Sequence, residues 1–146
     1  MTDYPNKAQI EEAVLAHPDH FSVPDGGARE YLLQSRCRAD FCFTMKPQGR
    51  LFIEAGNDGM RALPNLIKFW IWCEANPSET PIHVVDILET RRPAAIQSIK
   101  FLGDKMQQQI PGFAYHVITL PDWQGPDEDW LPELRNVLTG IAQARG

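Results

Sequence analysis

Two carboxylates interrupt apolar stretches of this sequence at a spacing that suits a metal site. Asp40 lies in RADFCFTM and Glu54 lies in RLFIEA, and the short link KPQG joins the two runs. Mg²⁺ prefers hard oxygen ligands, usually one or two carboxylates with waters that complete the octahedron. Such an ion can generate hydroxide and stabilise charge on a phosphodiester under attack. The pair therefore indicates metal-assisted hydrolysis as one chemistry open to this chain.

Alternation within the two runs predicts that both are strands of one antiparallel hairpin. Asp40 and Glu54 then each point to the face opposite their apolar neighbours. A buried carboxylate without a partner is costly, because it loses its hydration. A structural alternative to a metal site is that each acid lies at a sheet edge or pairs with Arg36, Arg38 or Arg50. The sequence leaves both alternatives open.

The elements that must position this hairpin belong to one α/β domain, residues 1–146, because the chain has 146 residues and 43% hydrophobic content. Periodicity predicts helices over 7–17, 61–75, 93–110 and about 128–144, and strands over 38–45, 50–55, 81–88 and 113–120. Residues 29–37 fit either a strand or a helix, and a strand is favoured because a turn precedes them and another strand follows. The order is α-β-β-β-α-β-α-β-α, with a core over about 7–120. Three meandering strands followed by strand–helix alternation imply a mixed central sheet with helices on both faces.

The helix predicted over 61–75 carries two kinds of side chain at helical spacing. Trp70 falls on the apolar stripe with Leu66 and is expected in the core, whereas Trp72 falls on the opposite side together with Asn65 and Lys68. Lys68 and Asn65 share this side with Arg61, so these three could form a polar cluster facing the sheet. Lys68 could equally be a solvated residue on an amphipathic helix.

These segments, AHP, QSRCRAD, RLFIEAG and PNLIKFW, resemble the PD-(D/E)XK, or restriction-endonuclease-like, nuclease superfamily. The resemblance implies a restriction-endonuclease-like fold with Mg²⁺ or Mn²⁺ as cofactor and DNA or RNA as substrate. Asp40 matches the motif aspartate and Glu54 the motif acid. Glu11 or Glu12 would match the helix glutamate that some branches add to the metal site, and Glu12 is taken as the third ligand.

One position departs from the family pattern. The lysine expected two residues after Glu54 is Gly56. In some branches of the superfamily this lysine has migrated to the following helix, so the resemblance offers Lys68 as the replacement. Gln34 and Asn65 are candidates to contact substrate, although Gln34 could also be a surface residue flanking the strand.

Two functions follow from this pattern. The first is a metal-dependent nuclease with Asp40, Glu54 and Lys68 as catalytic residues, for which the resemblance implies a prokaryotic defence or mobile-element system. The second is an inactive nuclease-like domain that acts as a protein-interaction, inhibitor or nucleic-acid-binding module, alone or as a homodimer. The formal net charge of −5 disfavours tight nonspecific binding to nucleic acid.

Other classes of site lack their sequence signals. No HExxH, GxSxG or glycine-rich nucleotide loop is present, and the three cysteines have no CxxC spacing, so they are expected to be reduced core residues. The N-terminus lacks the pattern of a secretion signal and no apolar run approaches the ~20 residues that span a bilayer. A cytoplasmic protein without membrane contact is expected.

Overall fold

The computed structural model describes residues 6–34, 37–57, 59–89, 92–120 and 130–145. Within them the chain forms an α/β fold with four helices and one mixed, open sheet of six strands. The helices are α1 (Lys7–Leu15), α2 (Gly59–Ala75), α3 (Pro93–Gln109) and α4 (Trp130–Arg145). The strands are β1 (Phe21–Ser22), β2 (Arg29–Gln34), β3 (Cys37–Met45), β4 (Arg50–Asn57), β5 (Ile82–Glu89) and β6 (Phe113–Leu120).

The strands follow the order β1-β3-β4-β5-β6, and β2 pairs with β3 beside β1. Strand β3 is antiparallel to β4, as the hairpin prediction requires, whereas β4, β5 and β6 run parallel to one another. Parallel neighbours need a crossover connection, and α2 and α3 provide the two crossovers. The carboxyl ends of β4 and β5 therefore lead towards the starts of these two helices.

Helices cover both faces of the sheet, and each face has its own apolar core. Helices α1 and α4 pack on one face, over odd-numbered residues of β4 and β5 such as Ile53 and Val85. Helices α2 and α3 pack on the other, over even-numbered residues such as Phe52 and Val84. Because side chains alternate along a strand, Glu54 belongs to the α2/α3 face.

The two-residue strand β1 was not predicted. Its residues pair antiparallel with the end of β3, Phe21 with Met45 and Ser22 with Thr44. The surrounding segment HFSVPDGG reads as a turn because it is rich in turn residues, and two paired residues are too few to show alternation.

The structure buries Trp72 more deeply than Trp70, the reverse of the order that helical spacing suggests, although Trp70 also packs against the α2/α3 core. Trp72 is 5% exposed and lies in the core, where its ring meets Phe52 edge-on at 5.1 Å between centroids. Trp70 is half-buried and donates its indole N–H to Glu74. Ile67 on the same predicted stripe is 47% exposed. Helix α2 is apolar on several sides, so spacing alone permits more than one buried stripe.

The described helices contain no stretch long and apolar enough to cross a lipid bilayer. The three cysteines are free thiols; Cys42 and Cys73 are buried, as predicted for core residues, whereas Cys37 is half-buried.

Candidate functional site

The Asp40 and Glu54 carboxylates accept hydrogen bonds across the hairpin at the point where the β3–β4 pairing ends. The register pairs Phe41 with Ile53, so Asp40 and Glu54 are the next residues facing each other. The Asp40 N–H donates to Glu54 Oε2 at 3.0 Å, and the Ala55 N–H donates to Asp40 Oδ2 at 3.0 Å. Each carboxylate thus accepts a backbone hydrogen bond from the opposite strand and is fixed in direction by it.

Lys68 reaches this pair from α2. Its ammonium forms an ion pair with Glu54 Oε1 and donates to the Arg38 carbonyl oxygen at 2.5 Å. The Lys68 side chain is 12% exposed and that of Glu54 is 2% exposed, so this contact is an interior ion pair. The structure therefore places Lys68 at the acids and not on a solvated face of α2.

The conformation of Gly56 disfavours a lysine at that position of β4. Gly56 has a φ of +79°, and the β4–β5 register shifts between Ala55 and Asn57. A residue with a side chain is strained in that left-handed region, whereas glycine is not. A lysine at position 56 would have to carry this strain, and Lys68 supplies the ammonium without it.

A third acid, Asp86, lies beside Glu54 and was missed in the sequence. Strands β4 and β5 pair Glu54 with Asp86, and register partners in a parallel pair point to the same face. Asp86 is 1% exposed, and Tyr115 on β6 donates its hydroxyl to Asp86 Oδ2 at 2.5 Å. The signal was available, because Asp86 interrupts the apolar run VVDIL just as Glu54 interrupts RLFIEA.

Gly103 on α3 leaves the space that the Tyr115 ring occupies. A Cβ at position 103 would lie 2.1 Å from Tyr115 Cδ2, closer than two carbon atoms can approach. Tyr115 can therefore lie between α3 and the sheet, where its hydroxyl reaches Asp86, only while residue 103 has no side chain.

The electrostatics of the cluster disfavour full ionisation of the acids. Burial first, and then the charge of Asp40, raise the pKa of Glu54 to about 8, although Lys68 opposes this shift. Burial raises the pKa of Asp86 to about 7, against the lowering effects of the Tyr115 hydrogen bond and of Lys68. Burial and the neighbouring Asp86 also raise the pKa of Tyr115. Three carboxyl groups share one lysine in this part of the structure, so the cluster favours binding a proton or a cation.

The structure does not bring the predicted helix glutamate to this cluster. Glu12 is exposed on α1, and Glu11 pairs with Arg29. Helix α1 packs with its apolar side on the α1/α4 face of the sheet, whereas the acids lie on the α2/α3 face.

Gln34 lies at the flank of the cluster, and Asn65 lies about one helical turn before Lys68 on α2. The Gln34 amide donates to the backbone carbonyl of Lys68 at 3.2 Å, which ties β2 to α2. Asn65 is half-buried and makes no side-chain hydrogen bond within the described part of the chain. Neither position contradicts a contact with substrate.

Asp40 and Glu54 provide carboxylate oxygens, the type of ligand that hard divalent cations prefer. In the described ranges no group of three or more histidine, cysteine, aspartate or glutamate side chains is arranged to hold a metal ion. Mg²⁺ is often bound through only one or two carboxylates, however. Asp40 is half-buried, at the more open end of the cluster, and the Glu54 carboxylate lies next to it.

No protein-family model, curated protein or solved structure matches this chain. The candidate site is the cluster formed by Asp40, Glu54, Asp86, Lys68 and Tyr115, called the acid cluster below.

Proposed function

We propose that this chain is a metal-dependent phosphodiester hydrolase of the restriction-endonuclease-like type, acting on DNA or RNA. The observation that carries the proposal is the position of Lys68. A lysine from a separate helix meets the Glu54 carboxylate in the interior of the domain. Chance burial of a lysine is rare, because desolvating an ammonium ion is costly unless it is paired.

The three side chains have distinct roles in this proposal. Asp40 and Glu54 would hold Mg²⁺ or Mn²⁺, and the bound ion would activate water and neutralise charge on the phosphate. Lys68 would place its ammonium against the charge that develops on the phosphoryl oxygens, which is a fixed electrostatic contribution of the protein. The hydrogen bonds from the Asp40 and Ala55 amides keep both carboxylates in one orientation.

The test is cleavage of labelled single-stranded and double-stranded DNA and RNA with Mg²⁺ or Mn²⁺. Wild type is compared with Glu54→Ala, Lys68→Met and the control Lys100→Met, whose lysine is exposed on α3. We expect no cleavage by Glu54→Ala and a loss on the order of a hundredfold or more in Lys68→Met, the size of effect seen when one stabilising donor is removed. Lys100→Met should cleave like wild type.

Equal cleavage by wild type and Glu54→Ala would identify a contaminant and refute the proposed site. Cleavage that needs Glu54 but not Lys68 would keep the metal pair and remove Lys68 from the reaction. Folding of each variant is checked by its urea denaturation curve, so that loss of structure is separated from loss of chemistry.

A second function is favoured by a different observation, namely that the acid cluster satisfies most of its own groups. Both carboxylates of the hairpin accept hydrogen bonds from backbone N–H groups, and Glu54 also forms an ion pair with Lys68. Such a network can be purely structural, as in a nuclease-like domain that binds a protein or a nucleic acid without cutting it. Binding of a nucleic acid by wild type that is unchanged in Glu54→Gln, with no cleavage under any metal, would establish this alternative.

A further inference from the structure

The acid cluster contains one acceptor that the ion pair and the hairpin leave unused. Asp86 Oδ1 is buried and has no hydrogen-bond partner among the described residues, although Oδ2 of the same carboxyl group accepts from Tyr115. A buried acceptor without a partner is costly, and native structures rarely keep one without a reason. Asp86 is 1% exposed, so bulk water does not supply the missing bond.

The ammonium of Lys68 is a donor on the same face of the sheet as Asp86. Glu54 and Asp86 are register partners on neighbouring strands, which lie about 4.8 Å apart, and both point towards α2 and α3. Lys68 already contacts Glu54, and its charge is close enough to lower the pKa of Asp86. A lysine ammonium is a point charge on a flexible stem with three donors, so it can turn from one carboxylate to its neighbour.

We infer that Asp86 is a second acceptor for the Lys68 ammonium and holds it in the cluster when Glu54 is engaged elsewhere. The part of this inference that concerns a bound cation rests on the proposed function. A cation on Glu54 would compete with Lys68 for the same carboxylate, and the turn towards Asp86 Oδ1 keeps the ammonium buried and paired. Asp86 acts through Lys68 and is therefore a positioning residue.

Tyr115 and Gly103 prepare Asp86 for this role. The Tyr115 hydroxyl occupies Oδ2, which leaves Oδ1 as the acceptor for a second donor. Gly103 in turn makes the space for the Tyr115 ring. The orientation of Asp86 is thus set by β6 and α3, and it does not depend on the position of Lys68.

A metal-free experiment tests the inference by removing Glu54 as a partner. Urea denaturation is measured for wild type, Asp86→Asn, Glu54→Gln and the double variant at about pH 9, above the pKa of about 8 of Glu54 and the pKa of about 7 of Asp86. In wild type, Asp86→Asn leaves Lys68 on Glu54, so its effect on the folding equilibrium constant reports only the loss of the buried Asp86 charge and of its hydrogen bond from Tyr115. In Glu54→Gln the same change should lower that constant about tenfold or more relative to its effect in wild type, because it also leaves the buried ammonium unpaired.

Repulsion between Glu54 and Asp86 would also make the two substitutions non-additive, so the four proteins are repeated with Lys68→Met. The inference requires most of the non-additivity to disappear in that background. If the non-additivity is the same with and without Lys68, or if Asp86→Asn has one effect in both backgrounds, the inference is wrong.

A second measurement covers the case in which the Lys68→Met proteins do not fold. In Glu54→Gln, NMR should show a scalar coupling across the hydrogen bond between Lys68 ¹⁵Nζ and Asp86 ¹³Cγ, and its absence would overturn the inference. Adding Mg²⁺ to wild type should produce the same coupling. If Mg²⁺ does not bind, the proposed metal function fails, while the result for Glu54→Gln still decides the role of Asp86.

Discussion

Gly103→Ala tests whether the packing of Tyr115 against α3, together with its hydrogen bond to Asp86, stabilises the protein. An added Cβ would lie 2.1 to 2.8 Å from three atoms of the Tyr115 ring, so the ring must move. Movement of the ring breaks the 2.5 Å hydrogen bond to Asp86 and leaves that carboxyl group without its donor.

Three contributions determine how far Gly103→Ala should lower the free energy of unfolding. Overpacking costs roughly 1–3 kcal/mol, and loss of a hydrogen bond to a charged group costs roughly 1.5–3 kcal/mol. Replacement of glycine by alanine inside a helix offsets about 1 kcal/mol of this. Gly103→Ala should therefore lower the free energy of unfolding by about 3 kcal/mol, taking the middle of these ranges.

Gly140 on α4 is the matched control, because a Cβ there meets nothing within 4 Å. Gly140→Ala should raise the free energy of unfolding by up to about 1 kcal/mol. Both variants are measured by urea denaturation followed through tryptophan fluorescence. A third protein combines Gly103→Ala with Tyr115→Ala. If the ring is the obstacle, Gly103→Ala costs nothing in that background. A cost that persists without the Tyr115 ring, or equal stability of the Gly103→Ala and Gly140→Ala variants, would refute the reasoning.

Three further outcomes are expected from the titrating groups. The folded state raises the pKa of Glu54 from 4.5 to about 8, so the contribution of Glu54 to stability is full below about pH 4.5 and is lost as the pH rises through 8. Glu54→Gln should therefore flatten the decline of the free energy of unfolding with pH. An unchanged pH profile would contradict the raised pKa of Glu54. Burial lowers the pKa of His116 below 6.5, so its contribution is present above that pH and is lost on acidification; His116→Gln should be less sensitive to acid than wild type, and an equal loss below pH 6.5 would argue against a buried neutral imidazole. Burial raises the pKa of Cys42 and Cys73 to about 12, so iodoacetamide should label Cys37 alone in the native protein, as mass spectrometry of peptides can show, and early labelling of Cys42 would contradict its burial.

The sequence predicts the hairpin of the fold well, because local alternation is enough to define it. Asp40 and Glu54 interrupt two clean period-two runs, and the structure pairs those runs as expected. The same local information fails for β1, whose two residues are a strand only through their pairing with β3. Trp70 and Trp72 show the limit for helices, since the choice of buried stripe on α2 is made by the sheet and by α3.

The site was predictable only in part, for a similar reason. The spacing of Asp40 and Glu54 places them across a hairpin, which is a local relation. The contact of Lys68 with Glu54 depends on how α2 docks, and the sequence left it open against a solvated surface position. The neighbour relation between Glu54 and Asp86 is set by the β4–β5 register across a whole crossover helix, so no short window of sequence contains it.

Because Lys68 lies on a helix, its ion pair with Glu54 forms only when the tertiary structure is complete. If the lysine had followed Glu54 in β4, the carboxylate and the ammonium would lie close together on one strand even in a partly folded chain. Here the ammonium meets its carboxylate only when α2 lies on the sheet. Folding intermediates that contain the hairpin but lack a docked α2 therefore have the acids without their counter-charge. Any activity of this site is confined to the fully packed domain.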